Sequence, residues 1–241
     1  MTGNEEKIIW ELRVWQQQMQ RPPTFINELA TKMQRKLNSL IPEMAHRIIT
    51  TTLKQMIRGV LYGAKITTRK TGLSLPLHLQ EGQVLARIEF YKKAAAAEGG
   101  ITGAGGILLG LADFPLLLSL KLKMLFDIAA LYGHDVECYR ERLYLLHIFQ
   151  LAFSSPQQRR QVYSQMVDWE TQKQHLPTDI HQFDWRTFQQ EYRDYIDLAK
   201  MAQLIPIIGA PVGAVVNYRL IDKLGKTAMN AYRMRWQEKK P

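Results

Sequence analysis

Only one cysteine, Cys138, occurs in 241 residues. Neither a disulfide framework nor a CxxC zinc or redox site can be built from it, and this thiol usage suits a reducing cytosol. HExxH, GxxxxGK[ST] and GxSxG are also missing. Their absence removes the spacings by which zincins, P-loop proteins and serine hydrolases present a metal, a phosphate cradle or a nucleophile. No alternation of apolar and polar residues is long enough for a half-buried strand. The opening stretch MTGNEEKIIWELRVW breaks its apolar residues with charges, which predicts no signal peptide. Hydrophobic residues at 46% and charged residues at 22% exclude a disordered or fibrous chain.

What is present is basic charge and helical periodicity. The net charge of +10 is unevenly placed: residues 1–98 carry +7, residues 99–200 carry −2 and residues 201–241 carry +5. The cations are spread at helical spacing, as in Lys54 and Arg58 or Lys92 and Lys93. They are not gathered on one element with interleaved aromatics, so nucleic acid is not the expected partner. Solvated helix faces account for such a pattern, and an anionic lipid surface is the charged partner it suits.

Nearly every segment reads as helix. Thr2-x-x-Glu5 forms a capping-box pattern ahead of Ile8, Leu12, Trp15 and Met19, and Pro22-Pro23 ends that helix. Thr24 caps a short helix, and Pro42 opens one running to about Lys65. Residues 66–76 have turn formers and no period, so they read as a loop. The spacing then predicts helices over about 77–98 and 116–132, with Gly133 in the left-handed C′ position. Asp135 is the expected cap of a helix to Phe153, and Ser155-Pro156 opens a polar helix to about Leu176. A loop over 177–184, an amphipathic helix over 185–204 and a tail helix over 220–239 complete the chain. The expected fold is all-α: residues 1–75 form a basic helical region packed on a core made by residues 76–241.

Two segments differ from the rest. Residues 99–120, GGITGAGGILLGLADFPLLLSL, have Asp113 as their only charge, and residues 201–218, MAQLIPIIGAPVGAVVNY, have none. Each approaches the ~20 apolar residues of a membrane span. Each is also punctuated by Gly and Pro, and an interior Pro costs about 3 kcal/mol, so two short helices joined by a break fit better than one straight span. The small residues allow such segments to pack closely, as a buried hairpin or as a membrane-interfacial element. In Asp113-Phe-Pro115 the carboxylate is placed to cap a helix starting near Pro115. Asn217 is placed to close a break before the tail helix or to hydrogen-bond across to the first hairpin.

Side chains with chemistry are sparse. Cys138 and His147 lie about 13 Å apart along one helix, too far for direct activation of the thiol. His134 beside Asp135, and His181 near Asp179, read as surface or capping histidines. Glu191, Asp194 and Asp197 lack the Glu-x-x-His partner of a di-iron bundle and read as a charged face. No catalytic residue, metal ligand set or cofactor is assigned.

The stretch AEGGITGAGGILLGLADFPLLLSLKLKMLFDIAALYGHD, residues 97–135, resembles the core signature of the EcsC family, and residues 205–235 resemble its C-terminal signature. The matching positions are Gly103, Gly106, Asp113, Pro115, Tyr132, Gly133, Pro206, Gly209, Gly213, Asn217 and Arg235. The likeness spans most of residues 78–237. It implies a helical protein, cytoplasmic or peripheral on the inner face of the cell membrane, linked to ABC transporter components or another membrane protein. It supplies no reaction. The expected function is therefore a non-enzymatic accessory role, with Arg219, Lys223 and Lys226 as contacts to anionic lipid. The alternative is a hydrolase-like enzyme with a site around Asp113.

Overall fold

Apolar side chains at three- and four-residue spacing build helices almost throughout the computed structural model, which describes residues 3–22, 43–62, 75–103, 106–177, 179–184, 188, 192 and 209–238. In chain order these are α1 (Gly3–Gln20), α2 (Glu43–Tyr62), α3 (Leu77–Gly103), α4 (Gly106–Leu131), α5 (Tyr139–Phe153), α6 (Pro156–Ser164), α7 (Trp169–Gln172) and α8 (Gly209–Glu238), with a 3₁₀ turn at Ile180–Gln182. No strand occurs among the described residues, and the fold is all-α. The short helix expected after Thr24, the loop over 66–74 and most of the helix over 185–204 lie outside the described residues.

Helix α8 is the spine. It runs antiparallel to α3: Arg233 meets Glu81 at 2.6 Å, Gly225 abuts Ile88, and Asp222 meets Lys92 at 3.1 Å. Helix α4 returns antiparallel to α3, joined by a 2.7 Å hydrogen bond from the Tyr91 hydroxyl to Asp127. Helix α5 is wrapped on all sides, with every residue from Leu143 to Phe153 buried. A helix so enclosed needs few polar groups, and those present need partners. Burial holds the His147 imidazole down to about 4. Leu12 of α1 and Ile49 of α2 belong to the same core as Phe126 and Leu224, so the described N-terminal helices and the rest share one interior.

Several helix ends differ from expectation. Helix α3 passes through Gly99-Gly100 to Gly103, because a helical glycine costs only about 1 kcal/mol and packing beside α4 and α8 outweighs it. Helix α4 starts at Gly106 and continues through Pro115, so Asp113 sits inside a helix and does not cap one. Asn217 likewise lies within the unbroken α8, which begins at Gly209; no break is there for it to close. Cys138, not Asp135, occupies the N-cap of α5 and makes no side-chain cap bond. Asp135 instead accepts the Glu137 amide at 3.0 Å. The polar helix expected to reach Leu176 stops at Ser164, where the chain turns and Asp168 adopts φ 55°. Gly133 has the expected left-handed φ of 80°. Its amide donates to the Ala130 carbonyl and that of His134 to Ala129, both at 3.0 Å, completing a Schellman ending.

Helices α3 and α8 pack tightly at Gly225. A methyl group there would lie 2.7 Å from both Cδ1 and Cγ1 of the buried Ile88. Gly225→Leu is therefore expected to overpack the seam and cost about 1–3 kcal/mol, read as a lowered denaturation midpoint. Pairing Gly225→Ala with Ile88→Ala should recover more stability than independent effects would allow.

Candidate functional site

Buried charge concentrates at the pole where α8 ends. Arg235, 2% exposed, donates from Nη1 to both oxygens of Glu141 at 2.8 and 2.7 Å, and from Nε to Glu170 at 2.8 Å. Glu141 also accepts the Tyr232 hydroxyl at 2.8 Å and faces His134 Nδ1 at 3.4 Å. The guanidinium lies 4.7 Å from the Tyr144 ring, and His134 packs on Tyr232 at 4.9 Å. Burial alone would raise the Glu141 carboxyl, but His134 and Arg235 outweigh it and hold it down to about 2. Beside this cluster Arg233 forks onto Glu81 at 2.6 and 2.9 Å and reaches Glu11 at 3.0 Å, fixing α8 to α3 and α1. Every strong acceptor here is occupied by an internal donor, so the arrangement clamps helices together.

The other pole carries the apolar glycine-rich ends. Lys121 of α4 is fully buried, and its ammonium reaches the Leu117 carbonyl at 3.4 Å. Burial lowers it to about 8, opposed by the charge of Glu98 on α3. Burial in turn raises Glu98, with Lys121 opposing and Asp113 adding to the rise. On α8, Asn217 is 1% exposed and its Oδ1 lacks a hydrogen-bond partner. The contacts that set the helix register place Asn217 opposite residues 96–97 of α3, close to the level of Lys121 and Glu98.

Outside this interior, Lys92 pairs with Glu89 at 2.9 Å and Asp222 at 3.1 Å, and lies 4.4 Å over the Tyr218 ring. These contacts raise its pKa even though partial burial opposes them, the Glu89 hydrogen bond contributing most. Arg219, Lys223 and Lys226 all have exposed positions on α8, and Lys226 is held by Asp222 at 2.7 Å. A mainly apolar groove of about 420 Å³ separates α2 from α4, with Met56, Val60, Pro115, Leu118 and Leu122 among its walls. Among the described residues, no group of three or more His, Cys, Asp or Glu side chains is placed to hold a metal ion. No helix among them is long and apolar enough to cross a membrane.

The residues singled out from sequence divide between the poles. Tyr132, Gly133 and Arg235 belong to the clamp, with Tyr132 stacked on Tyr232 at 5.2 Å. Gly103 ends α3, Gly106 begins α4, Gly209 begins α8, and Gly213, Asp113, Pro115 and Asn217 follow within those helices; Pro206 lies outside the described residues. Gly209 and Arg235 are separated by roughly 40 Å of helix, so these positions do not form one site. His134, read from sequence as a surface or capping histidine, is part of the clamp. Glu141, Tyr144, Glu170 and Tyr232 were not singled out, nor was Lys121. The signal for three of them was phase: Glu141 falls in step with Tyr144 and Ile148, and Lys121 with Leu117 and Leu125, on stripes that are otherwise apolar or aromatic.

The model of the family described as "EcsC protein family" matches residues 6–236, reaching into the N-terminal helices where no motif was read. "Protein EcsC" of Bacillus subtilis (strain 168) is 44% identical over 237 residues, covering 98% of this chain and 97% of its own. "Uncharacterized protein YdbA" of the same organism is 25% identical over 244 residues, covering 96% and 87%. No solved structure gives a significant match.

Three pH dependences follow. Glu141 lies below its ordinary 4.5 when folded, so its contribution is present above about 4.5 and lost as pH falls towards about 2. Glu141→Gln should flatten denaturation stability over that window, and Glu141→Ala should cost about 3–5 kcal/mol at pH 7 by leaving Arg235 under-compensated. His147, lowered from 6.5 to about 4, contributes stability above 6.5 that is lost between 6.5 and 4; His147→Phe should flatten that slope. Lys121 follows the same sign at higher pH: lowered from 10.5 to about 8, it penalises folding below 8, and the penalty fades as pH rises to 10.5. Lys121→Met is expected to stabilise at pH 7 by up to about 3 kcal/mol, with the gain shrinking above pH 8 in parallel denaturant melts.

Proposed function

The chain belongs to the EcsC protein family, and on that footing we propose that it is a non-enzymatic helical accessory protein. It acts in the cytoplasm, peripherally on the inner face of the cell membrane, in association with an ABC transporter. The transporter association comes from the likeness of residues 97–135 and 205–235 to the family signatures. The observation that carries the non-catalytic reading is the use made of buried charge. Arg235, Arg233, Glu141 and Glu81 are each consumed by internal partners that tie α8 to α1, α3, α5 and α7. Asp113, the residue on which an enzymatic reading depends, lies inside α4 about 30 Å along the bundle from this cluster. A peripheral attachment agrees with the basic exposed positions Arg219, Lys223 and Lys226, since cations near an anionic leaflet each add about 1 kcal/mol of attraction.

The test is recovery from cells at native expression, followed by crosslinking. The protein should sediment with membranes, be released by alkaline carbonate, and carry subunits of an ABC transporter through affinity purification. Recovery wholly in the soluble fraction without transporter subunits would overturn the reading. An Asp113→Asn variant should keep both properties, whereas their loss in a folded variant would favour the acid-dependent alternative.

A further inference from the structure

Resting on the membrane-peripheral reading, we propose that the protein seats end-on, with the pole formed by the end of α3 and the starts of α4 and α8 entering the headgroup–acyl boundary of an anionic bilayer. The topology supplies the first part of the case. Contacts of Arg233 with Glu81, Gly225 with Ile88 and Asp222 with Lys92 make α8 antiparallel to α3, and Tyr91 with Asp127 does the same for α4. The two uncharged stretches, about a hundred residues apart in sequence, therefore arrive at the same end. Residues 99–103 close α3, residues 106–112 open α4 and residues 209–217 open α8; none of these stretches contains an ionisable side chain.

Exposure supplies the second part. Leu116 is 60% exposed, Val215 51% and Tyr218 37%, and Pro115 is also on the surface. Trp10, Leu79, Leu85 and Phe90 are exposed elsewhere; what distinguishes Leu116, Val215 and Tyr218 is that the helix ends beside them carry no ionisable side chain. A tyrosine at the edge of such a surface suits the wet side of a membrane interface.

Charge and length supply the third. One turn below Val215 a cationic collar begins: Arg219 and Lys223 on α8 and Lys93 on α3, with Lys92 already held by Glu89 and Asp222. At the far pole the exposed residues include Asp135, Glu137 and Glu238. Arg140, Arg142 and Lys173 stand near these acids, so the charges of this end are mixed and the collar is what an anionic surface would attract. From Gly209 to Arg219 the helix rises about 15 Å, half of a ~30 Å hydrocarbon core, and from Gly209 to Val215 about 9 Å. The uncharged tip can enter one leaflet to the ~5–10 Å typical of interfacial elements, leaving the collar among the headgroups. Lys226 contributes less than its position suggests, because Asp222 holds it.

The native Cys138 is exposed near the far pole, which allows one experiment to read both ends. The full-length protein is labelled with an environment-sensitive fluorophore, either at Cys138 or at residue 215 in a Cys138→Ser/Val215→Cys variant. It is then mixed with vesicles of phosphatidylcholine alone or with added phosphatidylglycerol. Binding should need phosphatidylglycerol, with a blue shift at residue 215 and none at Cys138. Leu116→Asp with Val215→Asp, and separately Lys93→Glu with Arg219→Glu, should each weaken binding at least about tenfold. Trp10→Asp, a change at another exposed apolar residue, should not; melts confirm that the variants fold. Vesicle binding that survives both tip and collar changes, or a blue shift at Cys138 instead, overturns the end-on seating while leaving peripheral attachment intact. Failure of the unmodified protein to bind any vesicle counts against peripheral lipid attachment itself. Loss of transporter subunits in the tip variants without vesicle binding by the unmodified protein would assign the pole to a protein contact, against the bilayer.

Discussion

Arg235 is the point at which the helices become one structure. Its guanidinium joins the end of α8 to Glu141 in the first turn of α5 and to Glu170 in α7, and Tyr144 and Tyr232 cover its faces. A cation this deeply buried is tolerated only because its donors meet carboxylates with good geometry. Two residues earlier, Arg233 makes the equivalent connection to α3 and α1. Helix α8 thus enters the bundle with two fixed points one half-turn apart. A one-residue slip along α3 would withdraw both at once and move Gly225 off Ile88. The register set here fixes where every other α8 residue falls, including Gly225 against Ile88 and Asn217 in the interior.

The opposite half is built on a different balance. Small and apolar residues dominate the ends of α3, α4 and α8, yet Lys121, Glu98 and Asn217 are placed among them. Lys121 is the costly member: its charge is fully removed from water, with a carbonyl of its own helix at 3.4 Å as a hydrogen-bond acceptor and Glu98 as an electrostatic counterweight. The two halves therefore treat buried charge differently. At the α8 C-terminus it is matched by geometry, and near the glycine-rich pole it is held against a desolvation penalty.

The arrangement also accounts for the way the family positions scatter through the chain. Tyr132, Gly133 and Arg235 lie at one end because α4 ends where α8 ends; Gly103, Gly106 and Gly209 lie at the other because α4 and α8 begin where α3 ends. The same antiparallel topology produces both gatherings. It also leaves the exposed charge of α8 graded, from an uncharged start through Arg219 and Lys223 to a clamped terminus.

The sequence by itself determined the helical class, because 3.6-residue periodicity and the absence of alternation are local properties. It also determined the Gly133 ending, since a left-handed turn after a periodic segment is written in a few consecutive residues, and the Ser155 cap, whose side chain accepts the Gln158 amide at 3.3 Å. The break positions were not local. Gly99-Gly100 and Pro115 look like stops, and only the packing of α3, α4 and α8 supplies enough contact to carry helices through them. The clamp was equally hidden. Glu141 stands between Arg140 and Arg142 in a turn that reads as solvated, and nothing near it in sequence shows that Arg235, 94 residues on, will supply its counter-charge. Periodicity shows which side of a helix turns inward. Which charge it meets there depends on the register of a distant helix, and that only the tertiary structure decided.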